Sequence, residues 1–556
     1  MKPDINKMTL REKIGQTLIV RQPDLLLYCD KLYDELRDPG DAEKYMTELQ
    51  FGGLWACGNE EVDFKSLRYS GYWKFDTKKY TAWVEQITKG LKIPAILAND
   101  IVGSQCCTDL TRYPYTKSLI VGAADNEELS YELGRCIALE HKAAGMTWLW
   151  GPIGDLHIRI GADINRSFAG TPELLIKHCG AFIKGMQDAG VAATLKHFPG
   201  ADETDLRDSH ICLDQMYMSM DDWKARQGRI FQEIIDQGVY AIMGSAKLFP
   251  AMDDSTINNH PIPNGLSYKA LTEVLKGEMG FKGVIITDDV KMGGYMSCYE
   301  HDELYGQLLA AGNDMLLGVG LDAVDIVEDC VRRGIVTEER ITDACSRVLD
   351  MKEKVGLFDD PMPWRKVDLP QVVADTAKVS KAIAEGGITL IKDNIGLVPL
   401  KQKPKKVTIF LITHDEAIMN NMETMKKAFE AHGAEVDLRR RPTCFQEVAE
   451  TAENSDLIIY AAYTAHFAPK GGMGFFGEEW YSIQNAFSAG REKSLGVSIG
   501  HPLIGPLYMN DADTFINAYS ANEQVLEAVV AAIYGDIEFK GKSPIDMVTP
   551  VTVSIT

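Results

Sequence analysis

Length, composition and charge set the first limits on this sequence. A chain of 556 residues is several times longer than an average domain, and its 45% hydrophobic and 25% charged residues are typical of globular proteins. We therefore expect two domains, each with its own core. The net charge of −22 argues against nucleic acid or an anionic membrane as a partner, because both would repel the chain. A small neutral substrate fits this charge better.

The N-terminal segment and the cysteines bear on compartment and cofactors. The opening residues, "MKPDINKMTLREKIGQTLIV", lack a basic segment followed by an apolar one, and no stretch reaches the ~20 apolar residues needed to span a bilayer. The eleven cysteines include no C-x-x-C pair, although Cys106 and Cys107 are adjacent, and the eleven histidines include no H-E-x-x-H. These features predict a cytoplasmic protein with reduced thiols, no metal site and no cofactor.

Residues 1–360 alternate short apolar runs with amphipathic stretches such as "NEELSYELGRCIALEHKAAG". The eight apolar runs are "GQTLIV", "FGGLWACG", "IPAILAND", "MTWLWGPIGDL", "VAATLKHFPG", "VYAIMGSAKLF", "GVIITDDV" and "GNDMLLGVG". This alternation indicates an α/β protein, and a doubly wound sheet shows a similar local pattern. The count of eight favours a (β/α)₈ TIM-type barrel.

Polar residues follow these runs at the point where each predicted strand ends. They are Asp100, Asp155, Lys196, His197, Lys247, Asp288 and Asp289. A single aspartate at such a position is typically a helix cap. In a barrel, however, all of these residues surround one mouth, at the face where barrel enzymes carry their chemistry. A mouth with carboxylates, cations and imidazoles suits the vicinal hydroxyls of a sugar.

The second part of the chain, from residue 361 on, has a different sequence pattern. Residues 361–385, which include most of "DDPMPWRKVDLP", are a candidate linker, and residues 386–556 are predicted to form a smaller α/β sandwich domain. The segment "GMGFFG" at 472–477 is formally a G-x-G-x-x-G. It lacks the surrounding βαβ pattern and acidic residue of a dinucleotide site, so it does not predict nucleotide binding.

Several motifs resemble glycoside hydrolase family 3, in its bacterial β-N-acetylglucosaminidase branch. They are "MTLREKIGQ", "RSFAGTPELL", "KHFPG" with "DSH" in one loop, "VIITDDVKMGG" and, in the second domain, "AEGGITLIKDNIGLVPL" and "INAYSANEQVLEAVVAAIYGDIEFKGKSPI". The paired "KHFPG" and "DSH" are the most specific of these. The resemblance implies a retaining β-glycosidase in which the aspartate after the seventh strand, Asp288, attacks the anomeric carbon. The neighbouring Asp289 raises the alternative of substrate-assisted cleavage, but consecutive strand residues point to opposite faces, so at most one addresses the sugar.

The same resemblance implies an unusual proton donor. His210 takes the place of the customary carboxylic acid, and Asp208 accepts a hydrogen bond from its ring, which fixes the tautomer and stabilises the imidazolium. The alternative is that Asp208 or Ser209 caps a helix and His210 is simply solvated.

The resemblance also implies sugar-binding residues at five positions, each matched individually to the family pattern. They are Asp100, Arg166, Lys196, His197 and Arg21. An alternative pairs Arg166 structurally with Asp163 or Asp155, and makes His197 a buried histidine with its hydrogen bonds satisfied.

The chain also departs from the family pattern near the sugar site. Ala201 and Asp202 replace the usual His-Gly, with one extra residue before Asp208. "IVGSQ" follows Asp100, and Ala246 stands where a histidine is usual. These changes leave the reaction class in place but open the choice of sugar.

The sequence thus predicts a retaining, exo-acting β-glycosidase for terminal β-N-acetylglucosaminides. The alternatives are a β-N-acetylglucosaminide phosphorylase, a glycosidase for another sugar such as glucose or xylose, and an inactive carbohydrate-binding relative. A doubly wound oxidoreductase is disfavoured, because "GQTLIVRQPD" has no Gly-rich turn after the first strand. The oligomeric state is not predicted.

Overall fold

The first domain is a closed barrel of eight parallel strands. In this computed structural model the described residues are 1–21, 40–55, 77–101, 117–156, 166–201, 205, 207–257, 259–415, 417–464 and 474–547. In chain order the strands are β1 (Leu18–Arg21), β2 (Gly53–Trp55), β3 (Ile96–Asp100), β4 (Trp148–Trp150), β5 (Ala192–Phe198), β6 (Ala241–Gly244), β7 (Thr256–Ile257), β8 (His260–Pro261), β9 (Val284–Asp289) and β10 (Met315–Val319). β7 and β8 form a separate hairpin. β6 pairs with β9, and β10 pairs with β1 to close the barrel. The predicted (β/α)₈ barrel is confirmed.

The barrel interior is packed with side chains from alternate strand positions. Trp148 and Trp150 are fully buried there, together with Ile96 and Ile286. The indole Nε1 of Trp148 donates to Oγ1 of Thr194 at 2.7 Å, which satisfies its polar atom inside the core. A core of this kind holds the strands in fixed positions, and therefore fixes the residues at their carboxyl ends.

Helices surround the barrel between successive strands. They are Leu10–Gln16, Gly40–Leu49, Thr77–Ile87, Ser118–Ala124, Glu127–Ala143, Pro172–Asp188, Met220–Ala225, Gln227–Asp236, the π-helix Lys269–Glu278, Gly293–Met296, His301–Ala311, Ala323–Arg332 and Glu338–Lys354. Thr171 caps the helix Pro172–Asp188 by accepting from the backbone N–H of Leu174. That helix packs closely on the helix Glu127–Ala143, and Gly185 permits this because a Cβ there would lie only 2.0 Å from the carbonyl oxygen of Tyr131.

The second domain is a six-stranded sheet covered by helices on both faces, as predicted. Its strands are β11 (Thr389–Asp393), β12 (Lys406–Ile412), β13 (Glu435–Arg440), β14 (Leu457–Ala462), β15 (Ser494–Ser498) and β16 (Thr514–Asn517), in the spatial order β11-β16-β15-β14-β12-β13. Only β11 is antiparallel to its neighbour within the described sheet. The helices are Ala417–Ala431, Phe445–Asn454, Gly477–Asn485, Ile504–Tyr508 and Glu523–Tyr534.

A long helix, Leu369–Gly387, connects the two domains and includes most residues of the candidate linker. It packs against the barrel helix Ser118–Ala124, and Asp375 on its surface pairs with Arg135 at 2.8 Å. No helix among the described residues is both long and apolar enough to cross a membrane.

Candidate active site

The predicted site residues lie at the carboxyl ends of the barrel strands, or in the segments that directly follow. Arg21 ends β1, Asp100 ends β3, and Asp288 and Asp289 end β9. Lys196 and His197 lie near the end of β5. Because all these strands are parallel in one closed barrel, the residues surround a single mouth.

Lys196 on β5 and Asp100 at the end of β3 form an ion pair across the end of β4, which lies between them in the barrel. The Lys196 ammonium lies 2.5 Å from Oδ1 of Asp100, and only 2% of the lysine side chain is exposed. A buried ammonium requires such a partner, because burial without one is strongly unfavourable. Asp100 keeps 34% of its side chain exposed, so a sugar hydroxyl can reach this carboxylate.

His197 is oriented by Asp155, which follows β4. Asp155 accepts from the backbone N–H of His197 at 2.9 Å, and its other oxygen lies 2.7 Å from Nδ1 of the ring. This assigns a proton to Nδ1 and turns Nε2 toward Asp288, whose Oδ2 lies 4.0 Å away. The imidazole therefore stands beside the predicted nucleophile in a fixed orientation.

The adjacent carboxylates Asp288 and Asp289 have different surroundings. Asp289 accepts from the backbone N–H of Lys291 at 3.0 Å, and its Oδ2 lies 3.6 Å from the Arg21 guanidinium. It also packs on Gly318, where a Cβ would lie 2.6 Å from Oδ1. Burial raises the pKa of Asp289, and the Lys291 N–H and Arg21 oppose that rise. Asp289 is thus held by the protein, while Asp288 faces His197.

Asp208 and His210 form a hydrogen-bonded pair on the segment that follows β5. Nδ1 of His210 lies 2.6 Å from Oδ1 of Asp208, which also accepts from the His210 backbone N–H at 2.9 Å. The hydrogen bond to Asp208 raises the pKa of His210; partial burial opposes this, and the charge of Asp288 adds to it. The His210 side chain is 52% exposed, and it lies close enough to Asp288 for the charge of that carboxylate to act on it.

Arg166 adds positive charge close to this pair. Its guanidinium is near enough to lower the pKa of His210, against the larger effect of Asp208. Arg166 also contributes, after burial, to lowering the pKa of Lys117 to about 8. Lys117 carries no motif, and the sequence interpretation did not identify it as part of this region.

Two neighbouring positions after β6, Ala246 and Lys247, are part of the protein's own packing. Lys247 pairs with the buried Asp214 at 2.9 Å, and Ala246 is completely buried. Asp155 was expected as a strand-end residue or as a partner of Arg166. Its contact with His197 depends on the approach of β4 to β5, which the sequence does not reveal. Asp163, Asp202, residues 102–105, Cys106, Cys107, Gly472 and Met473 lie outside the described residues.

This arrangement brings a strand-end carboxylate and an exposed imidazole–carboxylate pair to one mouth. The first can act as a nucleophile, and the second can donate and accept a proton. Within the described ranges, no group of three or more His, Cys, Asp or Glu side chains is arranged to hold a metal ion.

Comparison with known proteins gives several relatives. Residues 9–351 match the "Glycosyl hydrolase family 3 N terminal domain". A "Beta-N-acetylglucosaminidase/beta-glucosidase" of Cellulomonas fimi is 23% identical over 494 residues, which cover 84% of this chain and 86% of that protein. A "Beta-hexosaminidase" of Pseudomonas aeruginosa (strain LESB58) is 36% identical over 278 residues, or 48% of this chain and 80% of that protein.

A solved structure supports the fold over almost the whole chain. The structure of "Beta-glucoside phosphorylase BglX" superposes with a TM-score of 0.80 at 23% identity, covering 98% of this chain and 94% of that one. At this level of identity the likeness establishes the two-domain fold. Together with the family match over more than half of the sequence, it shows that the chain belongs to glycoside hydrolase family 3 and is a glycosidase-type enzyme.

Proposed function

We propose that this protein is a retaining, exo-acting β-glycosidase that hydrolyses terminal β-N-acetylglucosaminides. One observation carries the proposal: a backbone hydrogen bond joins the segment that carries the predicted nucleophile to the segment that carries the predicted proton donor. The N–H of Gly293, five residues after Asp288, donates to the carbonyl oxygen of His210 at 2.9 Å. Two groups with complementary roles in double displacement therefore share one mouth.

In the first step, Asp288 attacks the anomeric carbon while His210 donates its Nε2 proton to the departing glycosidic oxygen. Asp208 holds the other ring nitrogen and stabilises the imidazolium before transfer. In the second step, the neutral imidazole accepts a proton from water. That water attacks the anomeric carbon and releases the Asp288 carboxylate.

The sugar is held by groups on the other strands. The Lys196–Asp100 pair presents a cation and a carboxylate to ring hydroxyls, and His197 approaches from the side of Asp288. Arg166 and Arg21 supply further donors at the rim. N-acetylglucosamine is the proposed sugar because relatives at 23% and 36% identity bear the names β-N-acetylglucosaminidase/β-glucosidase and β-hexosaminidase.

A screen of p-nitrophenyl β-glycosides tests the sugar. We expect the N-acetylglucosaminide to give a higher kcat/KM than the glucoside, xyloside or galactoside. NMR of the first product formed should show the β anomer, as retention requires. A faster glucoside or xyloside would replace the sugar assignment, and no turnover of any glycoside by folded protein would favour an inactive binding relative.

Phosphorolysis is a second candidate, favoured by the use of an exposed imidazole. A carboxylic acid that has given up its proton is an anion, and at ~4 Å with an effective dielectric of ~20 it repels an incoming phosphate charge by about 4 kcal/mol. A spent imidazole is neutral, and Arg166 nearby is cationic, whereas Asp208 restores part of the repulsion. Phosphate would then attack the glycosyl–Asp288 ester, forming a sugar 1-phosphate and freeing the carboxylate.

The product mixture in phosphate buffer and in a non-nucleophilic buffer separates the two reactions. A hydrolase releases free sugar at the same rate in both buffers and forms no sugar 1-phosphate. A phosphorylase forms sugar 1-phosphate in proportion to phosphate concentration.

A further inference from the structure

Three sets of contacts hold the segment 207–216, which carries Asp208 and His210. One set lies within the loop itself, and the other two join it to the residues after β6 and after β9. The segment follows β5 and precedes the helix Met220–Ala225. These contacts lie at the base, the flank and the tip of the segment. The inference drawn from them rests on the proposed role of His210 as the acid/base.

The base of the segment is closed by Asp205. Its Oδ1 accepts from the backbone N–H of Arg207 at 3.0 Å, and its Oδ2 accepts from the backbone N–H of Gln215 at 2.9 Å. The Arg207 guanidinium completes a two-point ion pair with the same carboxylate. Burial acts to raise the pKa of Asp205, but these hydrogen bonds outweigh it and hold the pKa below its usual value. One carboxylate therefore joins both ends of the stretch that contains the Asp208–His210 pair.

The flank of the segment is attached to the residues after β6. The N–H of Leu248 donates to the Asp214 carbonyl at 2.8 Å, and the N–H of Met216 donates to the Leu248 carbonyl at 2.8 Å. The buried Asp214 carboxylate pairs with Lys247 on the same stretch at 2.9 Å. A pair of ladder-type hydrogen bonds and an ion pair thus fix the register of this flank.

The tip of the segment is attached to the turn after the nucleophile strand. The N–H groups of Gly293 and Gly294 donate to the carbonyls of His210 and Ser209 at 2.9 and 3.1 Å. Both contacts need close backbone approach. A Cβ at Gly293 would lie 2.8 Å from the Ile211 carbonyl, and one at Gly294 would lie 3.3 Å from the Ser209 carbonyl.

Ala246 explains why the turn can come so close. A Cβ at Gly294 would also lie 2.9 Å from the Cβ of Ala246, which is fully buried, so the turn at Gly294 packs directly against Ala246. The small residue and the two glycines therefore belong to one packing arrangement.

We propose that these attachments hold the acid/base segment in its catalytic position before substrate binds, with Asp205 and Gly294 as positioning residues. Neither residue is among the proposed sugar-binding residues. They act through the placement of His210 relative to Asp288, so their loss should impair proton donation and leave sugar binding unchanged.

The first test replaces Asp205 with alanine and compares aryl glycosides of the best sugar found for the wild type. A displacement of the acid by about 1 Å corresponds to a loss of about 100-fold in kcat/KM for a poor leaving group such as phenol. An activated 2,4-dinitrophenyl glycoside, which needs little protonation, should lose less than about threefold. KM should stay close to the wild-type value. Asp205→Asn, which keeps one acceptor oxygen, should lie between Asp205→Ala and the wild type.

Asp360→Ala is the matched control. Asp360 also accepts from a backbone N–H, that of Met362 at 3.1 Å, and also pairs with a cation, Lys366 at 2.6 Å, but it lies outside the barrel mouth. It should leave both leaving-group classes unchanged. Equal losses for both classes in Asp205→Ala, or no loss in either, would overturn the proposal.

Gly294→Ala tests the tip independently, including the case in which Asp205→Ala does not fold. It should lower kcat/KM much more for the phenyl glycoside than for the 2,4-dinitrophenyl glycoside. Gly277→Ala, on the π-helix Lys269–Glu278, should leave both values unchanged. An NMR titration of the His210 imidazole gives a readout without substrate: a loosened segment weakens the contact with Asp208, so the pKa falls toward 6.5 in either variant. An unchanged titration together with an unchanged leaving-group profile would reject the proposal. Wild-type inactivity toward N-acetylglucosaminides alone would reject only the sugar assignment.

Discussion

The two ends of the barrel use buried lysine–aspartate pairs for different purposes. At the mouth, Lys196 pairs with Asp100, which keeps 34% of its side chain exposed. At the opposite end, Lys276 pairs at 2.8 Å with Asp314, which is completely buried just before β10. Asp314 also accepts from the Ile285 backbone N–H at 2.9 Å and from the guanidinium of Arg340.

The difference separates binding from stability in physical terms. Partners within the protein surround the Asp314 carboxylate, so it has no surface to offer a ligand. The mouth residues are held on one side by protein partners and reach solvent on the other, which is what recognition of a sugar requires. We therefore expect substitution of Asp288 at the mouth to change activity at nearly constant stability, and substitution of Asp314 at the opposite end of the barrel to do the reverse.

The largest effect expected at the mouth is that of Asp288→Ala. Loss of the nucleophile should lower kcat by about 10⁴-fold or more, with an unchanged melting temperature. Azide or formate should partly restore turnover of an activated glycoside, because a small anion can occupy the vacated position. Asp289→Ala is the control: it should perturb stability through Arg21 and β10, and its rescue by azide in place of the Asp288 variant would reverse the assignment.

The second effect concerns the proton donor. His210→Ala should slow glycosides with poor leaving groups by about 10³-fold, and dinitrophenyl glycosides far less, because the latter depart without protonation. Rates measured across a series of substituted phenols give the dependence on leaving-group pKa directly. The same loss along the whole series would remove His210 from the acid role.

The third effect belongs to the opposite end of the barrel. Asp314→Asn leaves Lys276 and Arg340 without their shared carboxylate in a buried site, and should lower the free energy of unfolding by about 3 kcal/mol. Activity per folded molecule should not change. Asp125→Asn, which breaks an exposed pair with Lys177 at 2.9 Å, is the control and should cost less than about 1 kcal/mol. A loss of activity without a loss of stability in Asp314→Asn would contradict the division between the two ends.

The sequence predicted the barrel because its eight strands are buried and apolar and are separated by clear helical patterns. Seven of the eight predicted runs contain an observed barrel strand completely, and the first contains all of β1 except its last residue, Arg21. The helix Leu369–Gly387 was not predicted, although its start signals are present: Asp368 caps it, and Pro370 lies in its first turn. Prolines mark both linkers and helix starts, and only packing against the barrel separates the two.

The sequence indicated the residues of the candidate site but not the contacts between them. Strand ends and family motifs indicate Asp288, Asp208 and His210. The pairing of Asp208 with His210 follows from their closeness in the chain. Contacts between distant segments, such as Asp155 with His197 or Gly294 with Ser209, depend on how neighbouring strands approach each other. No periodicity or spacing in a single sequence carries that information.

The smallest predicted effect tests how Asp208 acts on its partner at the mouth. Its hydrogen bond raises the pKa of His210, and the charge of Asp288 adds to this against burial and Arg166. Proton donation requires the imidazolium, so kcat/KM should fall as pH rises through the pKa of His210 in the free enzyme. Asp208→Asn removes the carboxylate, so the pKa moves down toward 6.5 and the fall in activity begins at lower pH.

At acidic pH, where His210 is protonated in both proteins, Asp208→Asn should still be about tenfold slower on a poor leaving group. The remaining deficit comes from lost orientation of the ring, since an amide holds it less firmly than a carboxylate. The control is Asp222→Asn, whose carboxylate accepts from the Ser219 hydroxyl at 2.7 Å on an exposed helix start. It should leave the profile unchanged. If kcat/KM of Asp208→Asn falls over the same alkaline pH range as that of the wild type, a group other than His210 causes the fall. The pairing with Asp208 is then structural rather than part of proton transfer.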